Sequence, residues 1–126
     1  MSYFIAKSIT ITPEKIYYVG CDNNIYPHYD GHFEKELTWQ NMRYLVNDLM
    51  GYCIQPQQRW WKDVVTEMEK IWSYEDVCRN DDKAQEAMDY LIAAYNVKIM
   101  ENYRKLRKDN PELKCELLTP PKKEVV

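Results

Sequence analysis

Along the first 37 residues, apolar positions recur every second residue. Ser8-Ile9-Thr10-Ile11-Thr12 alternates apolar and hydroxyl side chains, the period of a strand with one wetted face. Pro13-Glu14-Lys15 can reverse the chain, and the β-branched and aromatic run Ile16-Tyr17-Tyr18-Val19 suits a returning partner. Asp22-Asn23-Asn24 tolerates left-handed backbone angles and predicts a second tight turn. Ile25-Tyr26-Pro27-His28-Tyr29 and His32-Phe33-Glu34-Lys35-Glu36-Leu37 flank Asp30-Gly31, a strong hairpin signal. Pro27 has no N–H to give to a ladder, which places that hairpin at the sheet edge.

From Thr38 the period becomes helical. Thr38 suits an N-cap; Trp39, Met42, Leu45, Val46 and Leu49 form one apolar stripe, and Gly51 closes the helix. Pro56 fits the first turn of a second helix, whose buried face is predicted as Trp60, Trp61, Val64, Val65, Met68, Ile71 and Trp72. Ser73 to Arg79 reads as a short extra turn or an extension. Asn80 or Asp81 caps a third helix that runs to about Lys108 and stops at Asp109-Asn110-Pro111. Leu113, Cys115 and Leu117 then alternate with Lys114 and Glu116, the pattern of one short strand. The expected fold class is α+β: an N-terminal antiparallel β-meander of three to four strands, followed by about three helices, the last one long. Residues 1–118 form a single domain in this reading, and 119–126 a flexible C-terminal tail.

The last helix has a consequence for assembly. Roughly 27 residues at 1.5 Å each span about 40 Å, against a radius of gyration near 14 Å, roughly, for a chain of this size. Ala84, Met88, Leu91 and Tyr95 lie on one stripe, with Ile92, Ile99 and Tyr103 nearer another. A helix that outruns its domain and is apolar on two sides predicts a homodimer. The alternative is a bend near Asn96 that turns both stripes inward.

Composition narrows the function classes. With 126 residues, 45% hydrophobic and 29% charged, the chain can build one real core. Its 3 glycines, Gly20, Gly31 and Gly51, lie too far apart for a phosphate-cradling loop or a dinucleotide fingerprint. A net charge of −3 argues against a general nucleic-acid coat. No apolar run is long enough to cross a bilayer, and Met1 to Lys7 lacks a basic region followed by an apolar one, so neither a membrane span nor a secretion signal is expected. Cys21, Cys53, Cys78 and Cys115 are scattered without a CxxC pair, which suits free thiols in a cytoplasm.

Candidate chemistry is sparse. His28 and His32 flank the Asp30-Gly31 turn with Asp30, Glu34 and Cys21 near in sequence, but a two-residue turn sends the two histidines to opposite faces. A three-residue loop would instead pair them. The preferred reading is two polar residues on an exposed hairpin, with no metal and no cofactor. Neither a Gly-x-Ser-x-Gly elbow nor a carboxylate pair in an apolar setting is visible, so a non-enzymatic protein is expected. Charge segregates locally: residues 67–89 hold eight acids and three bases, whereas 98–108 hold five bases and one acid. The basic run complements the helix dipole, or else forms a docking patch for an acidic or phosphate-bearing partner.

Aromatic content is the anomaly, with 11 Tyr and 4 Trp. Adjacent Trp60 and Trp61 point about 100° apart on a helix, so one apolar face cannot bury both with ease. Tyr17, Tyr18, Tyr26 and Tyr29 divide between the two faces of the sheet. Tyr and Trp give stiff, amphipathic contact area and are enriched at binding hot spots. The candidate binding residues are therefore Tyr17, Tyr26, Tyr29, Arg59, Trp60, Trp61, Tyr103, Arg104 and Arg107.

Ile5-Ala6-Lys7-Ser8-Ile9-Thr10-Ile11, with Lys15-Ile16-Tyr17-Tyr18-Val19 and Asp22-Asn23-Asn24-Ile25-Tyr26-Pro27, resembles the opening of small uncharacterised proteins of Firmicutes phages and mobile elements. The resemblance covers about a quarter of the chain and carries no chemical motif. It implies an accessory protein, often an inhibitor of host defence, that grips a host protein or traps a nucleotide signal. The expected function is a non-enzymatic protein-binding module acting on a host protein in the host cytoplasm. The alternative is a binder that sequesters a nucleotide-like molecule, with Trp60 or Trp61 stacking a base and Arg59, Arg104 or Arg107 meeting phosphate.

Overall fold

Alternation in the N-terminal segment produces strands, and a threonine builds the first reversal. The computed structural model describes residues 4–21 and 31–123. In it β1 (Phe4–Ile11), β2 (Lys15–Gly20) and β3 (His32–Glu36) form an antiparallel meander. Thr12 Oγ1 accepts from the N–H groups of Glu14 and Lys15 and donates to Lys15 O, closing the β1–β2 turn from within. A bulge between Ala6 and Ser8 shifts the register, so Ala6 and Ile9, an odd number of residues apart, both reach the buried face. His32–Glu36 pairs with β2; the other arm of the expected hairpin, Ile25 to Tyr29, and the Asp22-Asn23-Asn24 turn lie outside the described residues.

A fourth strand, β4 (Ile54–Pro56), joins β1 in parallel, giving the order β3-β2-β1-β4. The second helix accordingly does not begin at Pro56. Pro56 ends the strand, where its missing N–H faces away from β1 and costs no ladder bond. The helix α2 (Arg59–Ile71) starts three residues later. Its N-cap residue Gln58 makes no side-chain cap, because Gln58 Oε1 accepts from Ile9 N–H at 3.4 Å.

The remaining helices follow their capping signals. Thr38 caps α1 (Trp39–Met50), its side chain accepting from Asn41 N–H at 3.1 Å, and Gly51 is the C-cap. Ser73 caps the short α3 (Tyr74–Arg79), the extra turn of the sequence pattern. Asn80 caps α4 (Asp81–Arg107), its Oδ1 accepting from the N–H groups of Asp82 and Lys83. There are thus four helices among the described residues. Arg43 of α1 donates to Cys78 O and pairs with Asp81, tying α1 to the α3–α4 junction.

These helices cover one face of the sheet. Met42, Leu45, Val46 and Leu49 from α1, Trp61 and Met68 from α2 and Met88, Leu91 and Ile92 from α4 are buried against Ile9 and Ile16. Ile71, expected in the core, is 55% exposed at the end of α2. Beyond Ala6, β4 no longer covers the edge of β1, and side chains finish it instead. Trp61 Nε1 donates to Ile9 O at 3.0 Å, and Tyr95 Oη accepts from Ile11 N–H at 3.1 Å. Buried backbone groups that a longer strand would have satisfied are thereby paired.

α4 does not break at Asn96; it is continuous for 27 residues. Ile92 joins Leu91 in the core and Ile99 packs against it, so the two stripes are internal as far as Ile99. Leu113 to Leu117 form no strand. The chain returns along α4, and Asn96 grips it: Asn96 Nδ2 donates to Leu118 O (2.9 Å) while Asn96 Oδ1 accepts from Leu118 N–H (2.7 Å). Further on, Gln85 Nε2 donates to Pro121 O, Lys122 pairs with Asp89, and Lys123 pairs with Asp81. A flexible tail from Thr119 is the sequence expectation, yet its described part, through Lys123, is held against the acidic flank of α4. The reason is hydrogen bonding from α4, Asn96 fixing Leu118 and Gln85 meeting Pro121 O, to which the exposed lysine pairs add little.

Candidate functional site

Two surfaces combine exposed apolar area with polar groups that the fold leaves unmet. The first follows from the end of α1. Gly51 lets the Tyr74 ring approach, since a Cβ there would lie 2.7 Å from Tyr74 Cε2. Tyr52 next adopts a left-handed backbone (φ 61°), which turns the chain into β4. Its phenol donates to Glu69 Oε2 of α2 at 3.0 Å, and this bond raises the Tyr52 pKa above the usual phenol value. Between β4 and α2 lies a groove of about 660 Å³. Ile5, Leu49, Ile54 and Val65 supply its apolar lining, and Gln55, Lys62, Thr66 and Glu69 its polar groups.

The second surface is the far end of α4. Tyr95 is the last buried residue of this helix, so twelve residues extend beyond it to Arg107. Val97 and Leu106 are 49% and 59% exposed. Arg104, Lys105 and Arg107 are exposed and form no salt bridge with any described residue. The Arg107 guanidinium lies 5.8 Å from the Tyr103 ring centre. The acidic stretch 67–89, by contrast, is largely consumed internally: Lys70–Glu67, Arg79–Glu75 and Lys83–Glu86 pair within it, and the returning chain takes Asp81 and Asp89.

The sequence-selected residues divide between these and other places. Tyr17, 38% exposed, lies on the sheet face opposite the helices, between Thr10 and Glu34 in the ladder. Tyr26, Tyr29 and His28 lie outside the described residues. Arg59 pairs with Asp63 at 3.2 Å on the exposed start of α2. Trp61 is fully buried and has no surface for a ligand, which corrects its selection as a contact residue. Trp60 is half-buried and meets Trp61 and Tyr95 edge-on, with Lys98 Nζ 4.8 Å above its ring. Burial lowers the Lys98 pKa, while the two ring faces hold its ammonium. Trp60 and Trp61 therefore gather around Tyr95, whereas Tyr103, Arg104 and Arg107 stand at least about 12 Å further along the helix axis. Of the arginines in the alternative reading, Arg104 and Arg107 are therefore not brought to Trp60, whereas Arg59 is its neighbour in α2.

Sequence reasoning missed the groove. β4 is three residues long, too short to show a period, and Tyr52, Lys62 and Glu69 share no local pattern. Among the described residues, no three His, Cys, Asp or Glu side chains converge to hold a metal ion. The four cysteines are free. Burial raises the pKa of Asp48 above the usual carboxylate value, opposed by the nearby Lys35, and burial likewise raises Tyr18. No helix among the described residues is long and apolar enough to cross a membrane. These features define an α+β protein in which helices cover one face of a four-stranded mixed sheet. No protein-family model matches the chain, and searches of curated proteins and of solved structures likewise give no significant match.

Proposed function

We propose that this is a non-enzymatic protein-binding module, an inhibitor carried by a phage or mobile element that acts on a host defence protein in the cytoplasm. The observation that carries the reading is the end of α4. Twelve helical residues extend past the last buried one, with exposed Val97 and Leu106 beside basic groups that meet no carboxylate of the described chain. Asn96, Lys98 and Ile99 in this stretch still serve the fold, but beyond Ile99 the helix runs on to Arg107 without a buried residue, and a partner with an acidic surface would bury its apolar residues and neutralise the bases. The N-terminal resemblance to accessory proteins of Firmicutes mobile elements supplies the context. The same extension supports self-association, and the reading includes a homodimer, to be measured by light scattering at micromolar concentration.

The test is capture from a Firmicutes host lysate by the full chain and by an Arg104→Glu/Arg107→Glu variant. Wild type is expected to retain a defined protein in a salt-sensitive manner, and the charge-reversed variant to bind it at least about tenfold more weakly. Both side chains are exposed, so the melting temperature should fall by only a few degrees, from the lost helix-dipole and Tyr103 contacts, with the fold intact. Equal capture by both proteins, or none by wild type, refutes the reading. Sequestration of a nucleotide-like molecule has the groove volume in its favour. That lining, however, offers one base, Lys62, and one aromatic residue, Tyr52, the latter committed to Glu69. Thermal stabilisation of several degrees by a panel of nucleotides would favour it over the protein-binding reading.

A further inference from the structure

The groove between β4 and α2 follows the free edge of a strand. Its lining includes Ile54 and Pro56, which lie beside Phe4 and Ala6, and also Gln55 and Ile5, paired with each other on the opposite face. Residues from both faces of a strand share one cavity when the cavity runs along the strand's edge. The ladder agrees. Phe4 N–H donates to Cys53 O at 2.7 Å and Gln57 N–H to Ala6 O at 2.8 Å, so the odd-numbered residues face β1. By the alternation of parallel strands, the Ile54 N–H and the Ile54 and Pro56 carbonyls point the other way. No hydrogen bond from another described residue reaches these three groups.

The opposite wall is one face of α2, with Lys62, Val65, Thr66 and Glu69 at three- and four-residue steps. From Lys62 to Glu69 the helix rises about 10 Å. That equals about three residues of extended chain, the length of β4. The wall carries one charge of each sign, at opposite ends of this rise. Glu69 already accepts from the Tyr52 phenol, while Lys62 has no salt-bridge partner among the described residues.

We propose that this groove binds an extended segment of a partner polypeptide as an added β-strand on β4, with an acidic side chain of the segment meeting Lys62. Main-chain pairing to Ile54 and Pro56 holds the segment, Val65 and Leu49 receive an apolar side chain, and Lys62 selects the charge. This surface is separate from the α4 extension on which the protein-binding reading rests, so either can fail alone.

The experiment pans a phage-displayed random octapeptide library against the immobilised full chain, then measures synthetic copies of recovered peptides by calorimetry. Recovered sequences are expected to place an acidic residue among β-branched ones. N-methylation of the backbone at one alternate set of positions should weaken binding about tenfold per lost bond, while the other set leaves it unchanged. Thr66→Arg should abolish binding, and Lys62→Glu should exchange the preference for an acidic residue for a basic one. Both positions are exposed, and an unchanged melting temperature confirms the fold. The proposal is overturned by an empty selection, by indifference to N-methylation at both sets, or by full binding to folded Thr66→Arg. Displacement of the peptide by stoichiometric ATP, used as the small-anion probe, overturns it equally, since the groove then belongs to a small ligand.

Discussion

Replacing Asn96 by Ala tests whether one side chain holds the returning C-terminal segment. Asn96 makes two hydrogen bonds to the same residue, one to Leu118 O and one from Leu118 N–H, and Leu118 is 4% exposed. Each bond contributes about 1 kcal/mol net, and burial of the leucine about 2 kcal/mol. The two losses do not add. Once both bonds are gone, the segment either stays with unpaired backbone groups or detaches and exposes Leu118, and the cheaper course sets the limit near 2 kcal/mol, roughly. The lysine pairs to Asp81 and Asp89 are solvent-exposed and hold little back. Alanine is the better helix former by about 0.6 kcal/mol, which offsets part of the loss. The expected net destabilisation is about 1.5 kcal/mol, a melting temperature lower by roughly 6 °C. Hydrogen exchange read by mass spectrometry should show residues 113–123 exchanging roughly tenfold faster, with α1 and the sheet unchanged. Unaltered protection of this segment in Asn96→Ala would refute the assignment of Asn96 as its clamp.

Two further substitutions probe local packing and charge. Gly51→Ala should cost about 1 kcal/mol, because the new methyl meets the Tyr74 ring and Asn47 O. In a Tyr74→Ala background the same change should cost less, since only the Asn47 O contact remains, and a denaturation double-mutant cycle that shows no coupling would dismiss the ring contact. Asp48 has its pKa raised by burial, so the folded state holds that proton more tightly than the unfolded chain. The stability it contributes is present at low pH and lost as pH rises through the folded-state pKa. Asp48→Asn is therefore expected to melt higher than wild type at pH 7, with the advantage vanishing near pH 3, below the ordinary carboxylate pKa of about 3.9. A difference that is constant with pH would show that titration of this carboxyl is not its source.

Local signals explain the elements they controlled. Thr38, Ser73 and Asn80 each accept from a backbone N–H at a helix start, as the hydroxyl and amide types at those positions predict. Pro56 misleads because proline tolerates two settings, the first turn of a helix and the end of an edge strand. Only the pairing of Phe4 with Ile54 decides between them. The adjacent tryptophans were separable in kind but not in assignment. Geometry alone says they diverge, while the choice of Trp61 for the core follows from Ile9 O, 52 residues away in sequence.

The amino-acid sequence by itself determined the class of fold, the meander, the starts of α1 and α4 and the length of α4, since each follows from local period and capping signals. Tertiary structure alone decided the parallel strand β4, the groove beside it, the burial of Trp61 and the course of residues 113–123. All four rest on pairings between segments far apart in the chain, such as Asn96 with Leu118 and Tyr52 with Glu69. Such pairings are chosen by which unmet hydrogen bonds and charges the packed elements bring within reach, and no local period encodes that choice.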